Sequence, residues 1–360
     1  MQSLVRRAWV EIDLGALRRN ASAIAARAGV PILPMVKADA YGLGAVRVAR
    51  ALDQDDPWGF GVATATEGEE LRRAGITRPI IVFTPALAED LDAAERSKLT
   101  PALATAATIK RWTPTRLPWH LDIDTGMNRA GLRWDELKSL EDLIAAYPPE
   151  GAFTHFHSAE IANGTLEEQT RRFEHALTTL PKRPQWLHAE NSPAIVRCGK
   201  SQWSFARPGV FLYGVNNVRP TEIKAEPVVA LRARIVEMRS TRDGDTVSYD
   251  GSWTSTGGRR IATVPVGYAD GYRRILSNRG VGLLRGRRVS VAGNVTMDMT
   301  MFDVTEVPCE IGDVITMIGT DGDDEVSVAD IAKLGAFLPY EMLTSLRSRL
   351  PRRYFTSETP

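Results

Sequence analysis

The residue of this 360-residue chain that is best suited to chemistry is a lysine at the end of an apolar run. Lys37 follows Pro34–Val36 and opens the sequence KADAYG over residues 37–42. Burial and neighbouring cations lower the pKa of a lysine from about 10.4 and make its amine a nucleophile toward aldehydes. Alternatively, the stem of this lysine lies along apolar surface with its ammonium in water, and position alone does not decide between the two.

Other polar residues lie at or near the ends of predicted strands. They are Arg129 after the fifth strand, His155 at the end of the sixth, Asn191 and Ser192 at the end of the seventh, and Arg207 in the eighth. The strand ends of a barrel meet at one mouth, where active sites lie, so we expect these side chains near Lys37. An ordinary helix cap at Asn191 and a structural ion pair of Arg207 are the alternatives.

The histidines and cysteines do not predict a metal site. His155, His157 and His188 are joined by no carboxylate or further histidine at ligand spacing. Cys198 and Cys309 form no C-x-x-C pair, so we expect ordinary thiols.

The first two thirds of the chain alternate short apolar runs with segments in which apolar residues recur every three or four positions. The predicted strands are Ile32–Lys37, Trp58–Thr64, Pro79–Thr84, Leu99–Leu103, Trp119–Asp124, Gly151–His155, Trp186–Asn191 and Phe205–Gly209. The predicted helices include Leu14–Arg27, Ala45–Leu52, Glu67–Ala74, Trp134–Ala146 and Glu167–Leu180. This alternation predicts a (β/α)8 barrel. An open doubly wound sheet is the alternative, but no G-x-G-x-x-G follows the first strand.

After about Val215, short β-rich runs separated by Gly, Asp and Asn replace the long helical patterns. The runs are Pro227–Met238, Arg260–Val266, Val281–Leu284, Arg288–Val295, Thr300–Val304 and Val314–Ile318, with a helical pattern only at Val326–Leu334. We therefore predict an α/β chain with a barrel domain over residues 1–225 and a mostly β domain over residues 226–360. Residues 8–12 alternate like a strand and are candidates for pairing with the second domain.

The composition is that of an ordinary soluble protein, with 43% hydrophobic and 25% charged residues. A formal net charge of +1 gives no electrostatic basis for binding nucleic acid or an anionic membrane. No apolar run reaches the roughly 18 residues of a membrane helix, and the first residues lack the apolar core of a signal peptide. Together with the low cysteine content, this predicts a cytoplasmic protein.

Eight short motifs resemble those of the alanine racemases and occur in the same order. They are VKADAYGLG (residues 36–44), DTGMNR (124–129), THF (154–156), NS (191–192), RPGVFLYG (207–214), VSY (247–249), VPVGYADGY (264–272) and GNVTMD (293–298). The resemblance extends from about Trp9 to Arg352. It implies a barrel that binds pyridoxal 5′-phosphate (PLP), a C-terminal β domain, and a homodimer with two shared active sites.

The resemblance also implies a role for each matched residue. Lys37 would bind PLP covalently, and Arg207 would face the pyridine nitrogen as a hydrogen-bond donor, because arginine does not give up its proton. The other expected contacts of the cofactor, most of them with its phosphate, are Tyr41, His155, Asn191, Ser192, Gly209 and Val210. Inversion of the α-carbon needs a base on each face of the substrate, and Lys37 and Tyr249 of the partner chain would be these bases. The hydrogen-bond network of His155, His188 and Arg207 would adjust the pKa of the Tyr249 phenol.

The substrate would be a small amino acid, with alanine interconverted between its L and D forms. Arg129 would bind its carboxylate, since a guanidinium fork matches two oxygens. Met297 would assist through its backbone, and Asp298 and Tyr268 would lie beside it.

Three residues depart from the family pattern. Asp122 stands where many members carry a carbamylated lysine, and we expect it to keep a negative charge beside Arg129. Asn294 replaces an arginine and Ser348 replaces a tyrosine, both at the expected substrate entrance. The last two changes leave space for a side chain larger than that of alanine and predict some racemisation of serine, unless Tyr340 or Arg347 fills the gap.

Three other functions are compatible with parts of the sequence. A PLP-dependent amino-acid decarboxylase usually carries a substrate-binding cysteine motif, which neither Cys198 nor Cys309 resembles. A PLP-homeostasis protein would consist of the barrel alone, whereas this chain continues for about 135 residues. An inactive paralogue is disfavoured because both Lys37 and Tyr249 are present.

Overall fold

The computed structural model describes residues 7–216, 218 and 221–357, which form two compact units. The barrel unit consists of the described residues of Leu17–Leu212 and Asn216–Ala225. The β unit consists of residues 7–16, Tyr213–Val215 and residues 226–357.

Nineteen strands and eleven helices are defined in the described residues. The strands are β1 (Ala8–Asp13), β2 (Phe60–Val62), β3 (Ile80–Val82), β4 (Thr100–Leu103), β5 (His120–Asp124), β6 (Leu132–Arg133), β7 (Gly151–Phe153), β8 (Trp186–His188), β9 (Val229–Arg234), β10 (Glu237–Thr241), β11 (Thr246–Val247), β12 (Trp253–Thr254), β13 (Arg259–Val264), β14 (Val281–Leu284), β15 (Arg287–Val291), β16 (Thr300–Asp303), β17 (Val314–Asp321), β18 (Asp324–Val326) and β19 (Arg352–Phe355). The helices are α1 (Leu14–Ala28), α2 (Lys37–Gly42), α3 (Ala45–Asp53), α4 (Ala65–Arg73), α5 (Ala88–Arg96), α6 (Ala106–Trp112), α7 (Glu141–Ala146), α8 (Thr165–Thr179), α9 (Ser192–Cys198), α10 (Val328–Gly335) and α11 (Pro339–Ser345).

Parallel strands form the sheet of the barrel unit in the order β2-β3-β4-β5-β7-β8, with β6 beside β5. Single parallel bridges extend this sheet, because Met35 pairs with β2 and Asn191 pairs with Arg207. A third bridge, between Ile32 and Ala206, joins the two ends. The strands therefore close into a ring, and the predicted barrel is confirmed.

The first and eighth predicted strands are less regular than expected. Ile32–Lys37 and Phe205–Gly209 take part in the barrel only through these isolated bridges and the backbone hydrogen bonds around them. Proline has no N–H to donate, and Pro31, Pro34 and Pro208 interrupt the ladder on both segments. The expectation that Lys37 ends a strand was wrong, because Lys37 begins α2.

The predicted helix Trp134–Ala146 was also wrong in its first half. A 3₁₀ helix covers Leu137–Leu140, and α7 begins only at Glu141. The backbone N–H of Trp134 donates to the carbonyl of Asp124 at 3.0 Å, which ties this segment to the end of β5. Apolar residues three positions apart suit a 3₁₀ helix as well as an α-helix, so the pattern did not separate the two.

Aromatic and aliphatic side chains fill the barrel around Leu33, Ile81 and Phe205, all of which are fully buried. Trp58 stacks on Phe205 with ring centroids 4.2 Å apart and meets Trp186 edge to face at 5.5 Å. Aromatic pairs in these geometries add to the gain from area burial alone. The packed interior stabilises the surrounding strands, and a functional site is expected at their carboxyl ends.

The β unit is built on one large sheet with the strand order β10-β13-β16-β15-β14-β17-β9-β1-β19 and with β18 on β17. Strand β1 pairs antiparallel with β9 and parallel with β19. Leu231 on β9 and Phe302 on β16 are fully buried, and along both strands buried residues alternate with more exposed ones. The predicted mostly β domain is confirmed, with β19 and α11 as elements that the sequence pattern did not indicate.

Among the described residues, no helix combines the length and the apolar character that a membrane crossing requires.

Candidate active site

Lys37 begins α2, a short helix whose backbone winds with left-handed sense. Ala38, Asp39, Ala40 and Tyr41 have φ between 52° and 57°. None of these residues is glycine, and left-handed helical residues cost roughly 1–2 kcal/mol each for L-amino acids. A strained turn of this kind persists only where the surrounding structure holds it.

Two carboxylates hold this turn. Glu67, in the first turn of α4, accepts hydrogen bonds from the backbone N–H of Ala38 and of Ala63, each at 2.7 Å. Asp39 Oδ1 accepts from the backbone N–H of Ala45, the first residue of α3, also at 2.7 Å. The backbone beside Lys37 is therefore fixed to the end of β2 and to the start of α3.

Arg207 lies inside the barrel with 3% of its surface exposed. Its Nη2 donates to the carbonyls of Thr154 and Ala189 at 2.8 and 3.1 Å, and its Nη1 donates to Nδ1 of His188 at 2.7 Å. His155 Nδ1 lies 3.3 Å from Nη2. The alternative of a structural ion pair is not what the structure shows, because these partners are all uncharged groups.

A chain of buried histidines extends from Arg207. His188 Nε2 lies 2.8 Å from Nδ1 of His120. Because arginine only donates, Nδ1 of His188 carries no hydrogen and its Nε2–H donates to His120. The hydrogen of His120 is then on Nε2, which is buried without a partner among the described residues. The tautomers of both rings follow from the fixed charge of Arg207.

Burial and this guanidinium keep the neighbouring histidines neutral. Burial first, and then Arg207, lower the pKa of His120 and of His155 to about 3, and they lower that of His188 far below its usual value. Burial also lowers the pKa of Arg207, to about 10, which still leaves it protonated at neutral pH. The pKa of Lys37 is lowered by burial, then by Arg129 and Arg207, against the opposing charge of Glu67.

Ser192, Gly209 and Tyr41 come together on another side of the mouth. The Ser192 hydroxyl oxygen accepts from the backbone N–H of Gly209 at 2.8 Å and from that of Phe211 at 3.4 Å, which leaves its own hydrogen free to donate. A Cβ on Gly209 would collide with the hydroxyl of Tyr41, so a larger residue at position 209 would displace the tyrosine ring. The N–H groups of Gly209 and Phe211 donate to Ser192, and the hydroxyl hydrogen of Ser192 is a donor that suits an anion with several acceptor oxygens.

Asn191 and Val210 flank these donors. The Asn191 side chain caps α9 by accepting from the N–H of Ala194 at 3.1 Å, and its amide donates to the carbonyl of Phe156 at 3.3 Å. The helix cap considered as an alternative for Asn191 is therefore present. Val210 begins a 3₁₀ helix and is buried. Contact of either residue with a phosphate stays a prediction.

Asp122 lies in β5, and Arg129 lies in the segment that follows β5. Arg129 is exposed and makes no hydrogen bond or ion pair with another described residue, so its fork is available to a ligand. Burial raises the pKa of Asp122 to about 7, against the opposing effects of Arg207 and Arg129. Burial favours the neutral carboxyl and the two arginines favour the charged one, so the expected negative charge at Asp122 stays a prediction.

The remaining predicted residues belong to the β unit and lie between its strands, where Tyr249 and Tyr268 each begin a short 3₁₀ helix. Tyr249 is 71% exposed, Met297 53% and Tyr268 41%. The N–H of Tyr268 donates to the carbonyl of Thr296 at 3.0 Å, which joins the loops that carry Tyr268 and Met297. The carboxylate of Asp298 pairs with Arg349 at 2.8 Å. Roles in substrate binding stay predictions for all of them.

Comparisons with known proteins agree with this architecture. The family model for the N-terminal domain of alanine racemase matches residues 12–217, and the model for the C-terminal domain matches residues 228–354. The alanine racemase of Carboxydothermus hydrogenoformans is 35% identical over an alignment 368 positions long. The alignment covers 97% of this chain and 100% of that protein. This chain belongs to the alanine racemase family. The family resemblance expected from the eight motifs is confirmed.

Solved structures of the racemase family have the same fold. The crystal structure of alanine racemase from E. faecalis has a TM-score of 0.92 at 29% identity and covers 97% of this chain and 98% of that one. The alanine racemase from Bartonella henselae, solved with covalently bound pyridoxal phosphate, has a TM-score of 0.89 at 28% identity, with 97% and 99% coverage. The family is PLP-dependent, which confirms the expected cofactor.

The barrel mouth of this racemase-family chain fits the parts of PLP. Lys37 offers an amine with a lowered pKa for the aldehyde, and it makes no hydrogen bond or ion pair among the described residues. The Nε–H of Arg207 likewise lacks a partner there and suits an uncharged ring nitrogen. Ser192 and Tyr41 provide hydroxyls for a phosphate.

Two residues with clear contacts at this site were missed by sequence reasoning. Glu67 carries a signal, because Thr64 and Glu67 form a capping box at the start of α4, but the bond from Glu67 to Ala38 joins residues 29 positions apart. His120 opens a strand with alternating polarity, and only the closed barrel shows that its ring meets His188. The described residues contain no group of three or more His, Cys, Asp or Glu side chains suited to a metal ion.

The raised pKa of Asp122 predicts a pH-dependent effect on stability. In the unfolded chain the carboxyl ionises above about pH 4, whereas in the folded chain it ionises only near pH 7. The buried carboxyl therefore lowers the free energy of unfolding by an amount that grows from about pH 4 to about pH 7. Above about pH 7 this loss stays constant. Asp122→Asn should raise the melting temperature of the holoenzyme more at about pH 8 than at about pH 4.5. Calorimetry at both pH values checks this, with exposed Asp142→Asn as control, and an equal change at both would contradict it.

Proposed function

We propose that Lys37 and Tyr249 are the two bases with which this chain interconverts L- and D-alanine, on opposite faces of the substrate. The reaction class follows from membership in the alanine racemase family and from the PLP dependence of that family. The observation that supports the residue assignment is the amine of Lys37, which has a lowered pKa, has no partner among the described residues and lies close to the buried Arg207.

PLP bound at the barrel mouth supplies an electron sink that makes the α-hydrogen of the substrate acidic. Arg207 donates a hydrogen bond to the ring and cannot protonate it, because it keeps its own proton at neutral pH. A donor of this kind leaves the sink weaker than a protonated ring would, which favours return of the proton to the α-carbon. Ser192, Tyr41 and the backbone around Gly209 hold the phosphate end.

Arg129 binds the substrate carboxylate in this proposal. Its guanidinium is exposed and unpaired among the described residues, and a carboxylate gives it two parallel hydrogen bonds. Arg129 also lowers the pKa of Lys37 and of His155, so its charge acts at the same mouth. Orientation of the carboxylate fixes which face of the α-carbon meets Lys37.

Tyr249 acts in the site of a second copy of the chain. Its phenol is 71% exposed, whereas a base works in a place from which water is excluded. Tyr268, Met297 and Met299 on the same unit are also more than 40% exposed, and large exposed apolar side chains mark contact surfaces. We infer a homodimer in which each barrel receives the Tyr249 loop of its partner.

The same proposal covers the cellular setting. Both cysteines are free, and neither the charge balance nor the apolar patterning indicates a nucleic-acid or membrane partner. The proposed setting is the cytoplasm, with D-alanine for biosynthesis as the product.

Serine is the second substrate that the sequence favours. Ser348 is exposed and replaces a larger side chain of the family, so the entrance gains volume. Asn294, the other departure, contributes less to this volume, because its amide is bonded within its own chain to the carbonyl of Tyr249. The preference therefore depends on Ser348.

Hybrid dimers test the two-base assignment and the shared site together. Lys37→Ala and Tyr249→Phe should each be inactive, but mixing them should restore up to about a quarter of wild-type activity, since half of randomly mixed dimers are hybrid and have one intact site. Borohydride reduction should leave a pyridoxyl group on the Lys37 peptide of Tyr249→Phe and on no peptide of Lys37→Ala. A label on another lysine, or no recovery despite proven subunit exchange, would refute the assignment.

Substrate choice is tested by restoring bulk at position 348. Ser348→Tyr should lower kcat/KM for serine relative to alanine roughly tenfold, since a pocket discriminates about 1–3 kcal/mol per methylene-sized group. Ser348→Ala is the matched control and should leave the ratio unchanged. Chiral chromatography of both reactions gives the ratio, and equal ratios in wild type and Ser348→Tyr would show that Ser348 does not set specificity.

A further inference from the structure

The segment that carries Tyr249 has a strained backbone on both sides of the tyrosine. Ser248 has a φ of +69° and Asp250 a φ of +62°, although neither is glycine. Residues with side chains adopt this region rarely, and they keep it only where neighbouring groups hold them there. Some contact in the β unit must therefore fix this segment.

Asn294 provides that contact at three points. Its Nδ2 donates to the carbonyl of Tyr249 at 2.8 Å and to Oδ2 of Asp250 at 3.2 Å, and its own carbonyl accepts from the hydroxyl of Ser248 at 2.7 Å. Both partners of the side chain are acceptors, so the amide NH₂ and not its oxygen has to face them. An aspartate at position 294 could not make either bond.

The neighbours of Asn294 make this close approach feasible. Gly293 has a φ of +86°, and a Cβ on it would lie 2.6 Å from the carbonyl oxygen of Val247. The backbone N–H of Gly293 donates to Oδ1 of Asn278 at 2.6 Å, and the Asn278 amide donates to the carbonyl of Ser252 at 3.0 Å. The two asparagines thus hold both ends of the Tyr249 segment.

The exposure of the phenol explains why the backbone has to be fixed. With 71% of Tyr249 exposed, its own chain gives the ring little packing that could set its direction. A side chain that acts in a second subunit can be aimed in advance only through its backbone. We propose that Asn294 is a positioning residue that fixes the direction of Tyr249, an inference that rests on the proposed function of Tyr249 as a base.

The first test measures the segment itself, by hydrogen–deuterium exchange of the peptide over residues 246–252 in the holoenzyme. Asn294→Asp removes both donors and adds charge repulsion with Asp250, and Asn294→Ala removes the donors alone. Both variants should increase exchange in this peptide. Ser277→Ala is the matched control, because Ser277 holds Val295 beside Asn294 at 3.0 Å and leaves the three contacts of Asn294 intact.

The second test separates a misdirected base from a general defect. Racemisation and deuterium incorporation at the α-carbon are followed in D₂O from each alanine enantiomer. With Tyr249 misdirected, the enantiomer that Lys37 deprotonates should exchange its α-hydrogen without inverting, so its ratio of exchange to racemisation should rise about tenfold or more. A loss of stability alone lowers both rates together and leaves the ratio unchanged.

Faster peptide exchange together with a raised ratio in both Asn294 variants, and neither in Ser277→Ala, supports the proposal. Unchanged peptide exchange overturns it, as does a loosened segment with an unchanged ratio. Tyr249→Phe, measured in parallel, shows whether it is the role of Asn294 or the role of Tyr249 that fails. A raised ratio in Tyr249→Phe alone keeps Tyr249 as a base and rejects only Asn294, whereas an unchanged ratio there rejects Tyr249 as a base as well.

Discussion

A guanidinium that is buried with no carboxylate partner in the described part of the chain is the constraint on which the rest of the barrel mouth depends. Arg207 reaches the ends of two strands through the carbonyls of Thr154 and Ala189, and it meets His188 on a third side. Burial of an unpaired charge is costly, and here the cost is offset by uncharged acceptors in good geometry. Because Arg207 stays protonated at neutral pH, its charge lowers the pKa of the neighbouring histidines and of Lys37.

The protonation states around Arg207 determine what the side chains of the site can do chemically. Histidines next to Arg207 are held neutral, and the tautomers of His188 and His120 follow from the direction in which Arg207 donates. Lys37 is pushed toward its amine form by burial and by cations, while Glu67 opposes this and also holds the turn beside it. Burial, Arg129 and Arg207 together favour the amine form of Lys37, and Arg207 is also a hydrogen-bond donor suited to the cofactor ring.

The sequence predicted the parts of this site that depend on local patterns. Strand periodicity and ordered motifs gave the barrel, and they pointed to Lys37 and Arg207. The left-handed turn after Lys37 was not predictable, because Ala38–Tyr41 contains no glycine and is held by contacts distant in the sequence. The state of Asp122 depends on how deeply it is buried, which a sequence does not give. Asn294 was interpreted as an entrance residue, and only the folded loop shows its amide on the Tyr249 carbonyl.

The central claim is that burial and Arg207 together keep the histidines behind Arg207 neutral, and that the hydrogen bond donated by Arg207 sets their tautomers. Nitrogen-15 NMR of the imidazole rings in the labelled holoenzyme measures this directly. The account predicts that His188 and His120 stay neutral from about pH 5 to about pH 8, with Nδ1 bare and Nε2 protonated in both, although free histidine titrates within that range. An imidazolium signal from either ring in that range, or a hydrogen on Nδ1 of His188, would contradict it.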